Sequence, residues 1–153
     1  MDVTPDRSLV RVAMAILYRE GCFLMQLRDD LPTIHYPGIW GFFGGHMEAG
    51  ESPERSVRRE LVEEVGYVPA QIGLFCERES VGYRRYYYYA ELTVPLGELQ
   101  LNEGQDMALC SMAEVRSGQK YSRKLGEMRS LGDPHRQVLL GFIDSGLVSF
   151  DLV

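Results

Sequence analysis

The sequence predicts a mixed α/β fold, a central sheet between helices. Three observations carry this. Apolar runs rich in Val, Ile and Leu are separated by turn residues near the start of the chain. A capped helix signal spans Pro53–Val65, and a second begins at Asp133-Pro134. The order is strands, helix, strands, final helix, which suits a sheet covered by helices in one domain spanning residues 1–153.

Taken in order, Met1–Ser8 is polar, contains Pro5 and is expected to fray. Leu9–Tyr18 and Cys22–Arg28 read as strands joined at Arg19-Glu20-Gly21, a hairpin pattern. A loop with Pro32, Pro37 and Gly38 follows, then a short aromatic strand, Trp40–Phe43, leading into Gly44-Gly45. The two glycines allow backbone conformations closed to other residues. In the next helix, Ser52 is a good N-cap, Pro53 suits the first helical position, and Glu54 complements the dipole. Gly66 can end it in the left-handed region. Val57, Leu61 and Val65 recur every four residues as its buried stripe.

Further on, Ile72–Ser80 and Tyr83–Leu92 read as strands about Gly82. In the second of these, Tyr83, Arg85, Tyr87 and Tyr89 share one face, and Arg84, Tyr86, Tyr88 and Ala90 the other. Val94–Leu101 is expected to be a loop with an edge strand, and Asp106–Cys110 a further strand. Ser111 and Glu114 have capping-box spacing, so a short helix starts there. The basic stretch Arg116–Leu131 is open to two readings, a mobile loop over a polyphosphate or a solvated face. Asp133 is read as the N-cap of the last helix, with Val138, Leu139, Phe142 and Ile143 its buried stripe. Gly146 ends it, and Leu147–Val153 is a tail or short strand.

Composition narrows the function. A net charge of −6 argues against non-specific binding of a nucleic acid polymer, which rests on Lys and Arg neutralising phosphates. It also disfavours an anionic membrane surface, and no apolar run approaches the roughly 18 residues of a spanning helix. Cys22, Cys76 and Cys110 are widely spaced and odd in number, as in a reduced cytoplasmic protein.

The unusual stretch is Gly45–Tyr67. On a helix, Glu60, Glu63 and Glu64 crowd like charges within one turn, a repulsion that a cation would relieve. Hard divalent cations, Mg²⁺ above all, take carboxylate oxygens and leave other positions to water and phosphate. Gly45, Glu51, Arg59-Glu60-Leu61, Glu63-Glu64 and Gly66 stand at spacings that resemble the signature box of the Nudix hydrolases, the family of MutT-type pyrophosphohydrolases. Tyr67 departs from the aliphatic residue usual there, and Phe43 from the proline common before the glycines.

The resemblance implies an α/β/α sandwich and metal-assisted hydrolysis of a phosphoanhydride, with Mg²⁺ (or Mn²⁺) as cofactor. It implies a metal site of the Gly45 carbonyl, Glu60, Glu63 and Glu64, with Glu60 the base in some relatives. Arg59 is expected to pair with Glu51. Relatives often add a downstream carboxylate; Glu103 is the candidate here, ahead of Glu91 and Glu98. His46 either meets phosphate or metal, or simply packs beside the box. For the substrate, Arg84 or Arg85 could meet phosphate, and Tyr87 or Trp40 could stack a base, against the plainer reading of both aromatics as core. The expected substrate is a small nucleotide, foremost a nucleoside triphosphate or oxidised purine nucleotide. ADP-ribose, nucleotide sugars, dinucleoside polyphosphates and a non-catalytic sensing domain stay open. A homodimer is compatible with the family.

Overall fold

The structure, a computed structural model, describes residues 9–34 and 37–149. Its strands are β1 (Val10–Arg19), β2 (Cys22–Leu27), β3 (Trp40–Gly41), β4 (Phe43–His46), β5 (Gly73–Ser80), β6 (Tyr83–Glu91), β7 (Asp106–Ser111), β8 (Gln119–Ser122) and β9 (Glu127–Ser130). The helices are α1 (Pro53–Val65), α2 (Met112–Ser117) and α3 (Asp133–Ser145). Seven strands form one sheet in the order β3-β2-β1-β6-β5, with β4 also on β1 and β7 also on β2. β1 pairs antiparallel with β2 and β4 and parallel with β6, so the sheet is mixed.

Alternation along β1 sorts the core into two layers. Val12, Met14 and Ile16 join Phe23, Met25, Trp40, Phe42 and Tyr87 beneath Met112 and Val115 of α2 and Val138 and Phe142 of α3. Ala13, Ala15 and Leu17 join Phe43, Tyr86 and Tyr88 beneath Val57, Leu61 and Val65 of α1. The sheet therefore lies between α1 on one face and α2 with α3 on the other, the sandwich that the family resemblance implies.

Several details differ from expectation. The aromatic strand is two pieces: Trp40–Gly41 pairs with β2, and Phe43–His46 turns onto β1, taking both glycines into the sheet. Gly44 has φ +141°, and a Cβ there would lie 2.2 Å from the Ala13 carbonyl oxygen, so the close pairing requires glycine. In Val94–Leu101 the ordered element is a 3₁₀ turn, Leu96–Glu98, after Pro95, not an edge strand. The basic stretch is a hairpin, β8–β9, not a loose loop. Its Lys120 is buried against Glu114 at 3.2 Å, and Arg129 reaches Asp30 at 3.0 Å. Gly132, not Asp133, is the N-cap of α3, and no side chain caps it. Met1–Ser8 lies outside the described residues, as does the end of the Leu147–Val153 tail; Leu147–Ser149 is not a strand.

Candidate active site

Local rules put α1 where it is. Ser52 Oγ accepts the Arg55 N–H at 3.2 Å, and Gly66 at φ 68° closes the other end. Val57, Leu61 and Val65 are fully buried, which sets the rotation of the helix and so of its glutamates. Glu63 is exposed, but Glu64 turns inward and is only 3% exposed. The Gly44 N–H donates to Glu64 Oε2 at 3.3 Å. Burial raises the Glu64 carboxyl well above the carboxylate range, and the nearby Glu60 and Glu103 add to this. Gly45 passes so close to Glu60 that a Cβ would lie 2.7 Å from its carboxyl group.

Arg59 braces the segment before the helix. Its Nε and Nη2 grip Glu51 at 2.7 and 3.0 Å, as expected from the sequence, and Nη2 also donates to the His46 carbonyl at 3.2 Å. Nη1 reaches Glu60 at 3.1 Å and Glu63 at 3.4 Å. The fork draws the Glu51 carboxyl down to about 2 through its hydrogen bonds, aided by the Glu48 N–H.

Glu103 comes from the turn before β7 and shares a small cleft, about 30 Å³, with Glu64, Gly44, Arg28, Asp29 and Gln26. Glu91 and Glu98 are not among the residues lining it. Arg28 borders this cleft and also a neighbouring pocket of about 90 Å³. That pocket has an apolar floor of Val12 and Met14 and is walled by Arg85, Tyr83, His46 and His135. Arg85 donates to Ser80 Oγ at 2.7 Å, and its guanidinium lies 4.6 Å from the Tyr83 ring centroid. His135 is buried, which holds its imidazole down at about 3, with the Arg28 and Arg85 charges acting the same way.

The structure separates the four residues expected to touch substrate. Arg85 faces the pocket, whereas Arg84 points to the opposite face and pairs with Glu77 and Glu79 at 2.7 and 3.0 Å. Tyr87 is 1% exposed and Trp40 fully buried, so neither offers a face to a base. Trp40 Nε1 donates to the Lys120 carbonyl at 3.0 Å, and Tyr87 packs edge-on to Phe42. Both belong to the core because hairpin β8–β9 and α3 close over that side of the sheet. Reasoning from sequence missed Arg28, Gln26 and His135. Only Arg28 carried a signal, as a charged residue at the end of an apolar strand opening a Pro-rich loop.

A model of the NUDIX domain matches residues 8–128. The chain belongs to the Nudix hydrolase family. Its enzyme class is therefore hydrolysis of phosphoanhydrides. Among curated proteins, this Nudix chain is 33% identical to the CTP pyrophosphohydrolase of Escherichia coli (strain K12) over 113 residues, covering 71% of this chain and 80% of that protein. A shorter match, 34% over 55 residues, links it to nucleoside triphosphatase NudI of Salmonella arizonae, covering 36% of this chain and 38% of that protein. Among solved structures, the NUDIX domain of Shewanella oneidensis NrtR complexed with ADP ribose superposes with a TM-score of 0.68 at 21% identity, covering 95% of this chain and 93% of that one. This last likeness concerns the fold.

Nudix hydrolases generally use divalent cations, and the donor chemistry here suits one. Burial first, and then the neighbouring Glu60 and Glu103 carboxylates, raise the Glu64 carboxyl and disfavour its charged form. A bound dication would relieve this cost. Among the described residues no group of three or more such side chains converges on a common point, in keeping with Arg59 occupying one oxygen of Glu60. Glu60 would have to turn from Arg59 to bind. No helix among the described residues is long and apolar enough to cross a membrane.

Proposed function

We propose that this Nudix hydrolase cleaves nucleoside triphosphates, oxidised purine nucleotides included, to monophosphate and pyrophosphate. The observation that carries the reading is a pair of neighbouring hollows of different chemistry. Carboxylates line the cleft, and Arg28 joins it to a pocket with an apolar floor beneath Arg85, Tyr83 and His46. A substrate with a polyanionic tail and a planar apolar body matches that division. The relatives named as a CTP pyrophosphohydrolase and a nucleoside triphosphatase support the triphosphate class.

In this reading the Gly45 carbonyl, Glu60, Glu63, Glu64 and Glu103 hold Mg²⁺, with Mn²⁺ as an alternative. A divalent ion bound there would supply the charge that neutralises phosphoryl oxygens and lowers the pKa of a water. The protein's own groups do the rest. Arg28 and Arg85 bind and orient the phosphates by charge-assisted hydrogen bonds. The Gly44 N–H fixes the rotamer of Glu64. Arg59 and Glu51 hold the Gly45–Glu51 segment against α1, so the glycine carbonyl and the glutamates keep one spacing. In the alternative assignment Glu60 is the base and not a metal ligand, and it takes the proton from the attacking water once it leaves Arg59.

The test is product analysis on a panel of normal and oxidised triphosphates, ADP-ribose, nucleotide sugars and dinucleoside polyphosphates, with Glu64→Gln as control. We expect Mg²⁺-dependent monophosphate and pyrophosphate from a triphosphate, and turnover lower by at least about 100-fold in a folded Glu64→Gln protein. Undiminished turnover in that variant would remove Glu64 from the mechanism. Cleavage of ADP-ribose or a nucleotide sugar alone would replace the substrate class.

A further inference from the structure

The segment Gln100–Gln105 is stitched to two elements at once. Toward α1, the Gln100 N–H donates to the Val65 carbonyl and the Asn102 N–H to the Glu64 carbonyl, each at 3.0 Å. Asn102 Nδ2 donates to the Glu63 carbonyl at 2.9 Å. These three carbonyls belong to the last turn of the helix, where no intrahelical donor is available. The Gly66 N–H serves Leu61 and Val62 instead. Toward β2, the Gln105 N–H donates to the Leu27 carbonyl at 2.7 Å, and Gln105 Nε2 to the Arg28 carbonyl at 2.9 Å. Gln26 Nε2, nearly buried, donates to the carbonyl of Glu103 itself at 2.8 Å. Gly104, at φ +95°, lets the turn close over Gln26: a Cβ there would lie 2.8 Å from that side chain and 2.9 Å from the Leu27 carbonyl oxygen.

We infer that Asn102 is a positioning residue: bonded through backbone and side chain to the carbonyls of Glu64 and Glu63, it sets where the adjacent Glu103 stands relative to those two glutamates. The Glu103 side chain is exposed, so its direction comes from its main chain, which Asn102 holds on one side and Gln26 on the other. Glu103 is distant in sequence from the adjacent Glu63 and Glu64, yet Asn102 beside it bonds to the carbonyls of both. The inference rests on the proposed role of Glu103 at the metal site. It adds a reason why a residue on an exposed turn can act as a ligand of fixed spacing.

The experiment reads Mn²⁺ binding to the metal-stripped full chain, by electron paramagnetic resonance and calorimetry, without substrate. Wild type is compared with Asn102→Ala, Glu103→Gln and the double variant, with thermal melting recorded for each. We expect Asn102→Ala to weaken Mn²⁺ binding about tenfold, the lower end for groups that orient a ligand. The double variant should bind no more weakly than Glu103→Gln alone, since the asparagine acts through the glutamate. Asn102→Gln, which keeps an amide donor, should recover part of the loss. Should Asn102→Ala fail to fold, Asn102→Ser replaces it, being too short to reach the Glu63 carbonyl. A lower melting temperature with unchanged Mn²⁺ affinity would reduce Asn102 to a helix cap and overturn the proposal, as would fully additive losses. Unchanged affinity in Glu103→Gln would also overturn it, while leaving the hydrolase reading to stand or fall on Glu64→Gln.

Discussion

His135 and Glu64 are titratable side chains enclosed by the fold, and burial drives each toward its neutral form. For His135 the imidazole is lowered to about 3 from the ordinary 6.5. Between those values the unfolded chain takes up a proton that the folded chain refuses. Stability therefore falls as pH drops through 6.5 toward 3, by at most about 1.4 kcal/mol per pH unit for this one group. Calorimetric melting between pH 7 and 4 should show a shallower decline in His135→Gln than in wild type. Parallel declines would mean the histidine does not contribute. The position was not legible as a site residue, because a histidine early in an amphipathic helix has no local mark separating core from pocket. Arg84 and Arg85 make the same point. Adjacent strand residues must face opposite ways, but which one meets the pocket depended on the layer that β6 placed beneath each.

At the scale of elements, α1 was legible nearly to the residue because its determinants are local: Ser52 and Pro53 at one end, Gly66 at the other, an apolar repeat between. The glycine pair was recognised, but its place in a strand was not, since glycine has no strand preference and β4 exists only by pairing with β1. The two glycines should respond differently to alanine. A Cβ on Gly44 meets backbone, 2.2 Å from the Ala13 oxygen and 2.7 Å from Met14 Cα. Gly44→Ala should therefore cost about 3 kcal/mol or more and lower the melting temperature by several degrees. On Gly45 the three atoms nearest a Cβ are those of the Glu60 carboxyl group, at the flexible end of a side chain. Gly45→Ala should stay folded, with melting little changed, and lose activity by displacing Glu60. Equal melting curves for the two variants would refute this contrast. Hairpin β8–β9 escaped detection because four-residue strands of mixed polarity carry little periodic signal, and the burial of Lys120 depends on Glu114 and the Trp40 ring.

For the whole molecule, the cleft draws on α1, the end of β2, β4 and the turn before β7, so metal binding and global stability should be linked. A ligand that binds only the folded state adds RT ln(1 + [L]/Kd), about 2.7 kcal/mol at a hundredfold excess over Kd. Mg²⁺ should accordingly raise the melting temperature of wild type by roughly 5–10 °C at such excess, and a chelator should reverse it. Glu64→Gln should show a much smaller rise, and equal rises in both would place the ion elsewhere. What could be read in the chain alone was the alternation of elements, the box helix with its caps, and the chemical type of the site, because these rest on neighbours within a few residues. What required the folded molecule was which side chains line the cleft and the pocket beside it: Arg85 rather than Arg84 and His135 at the pocket, Arg28 between the two, Tyr87 and Trp40 withdrawn into the core, and Glu103 tied to α1 through Asn102. Those outcomes depend on strand pairing and layer packing between residues far apart in sequence, and such contacts leave no local trace in side-chain order.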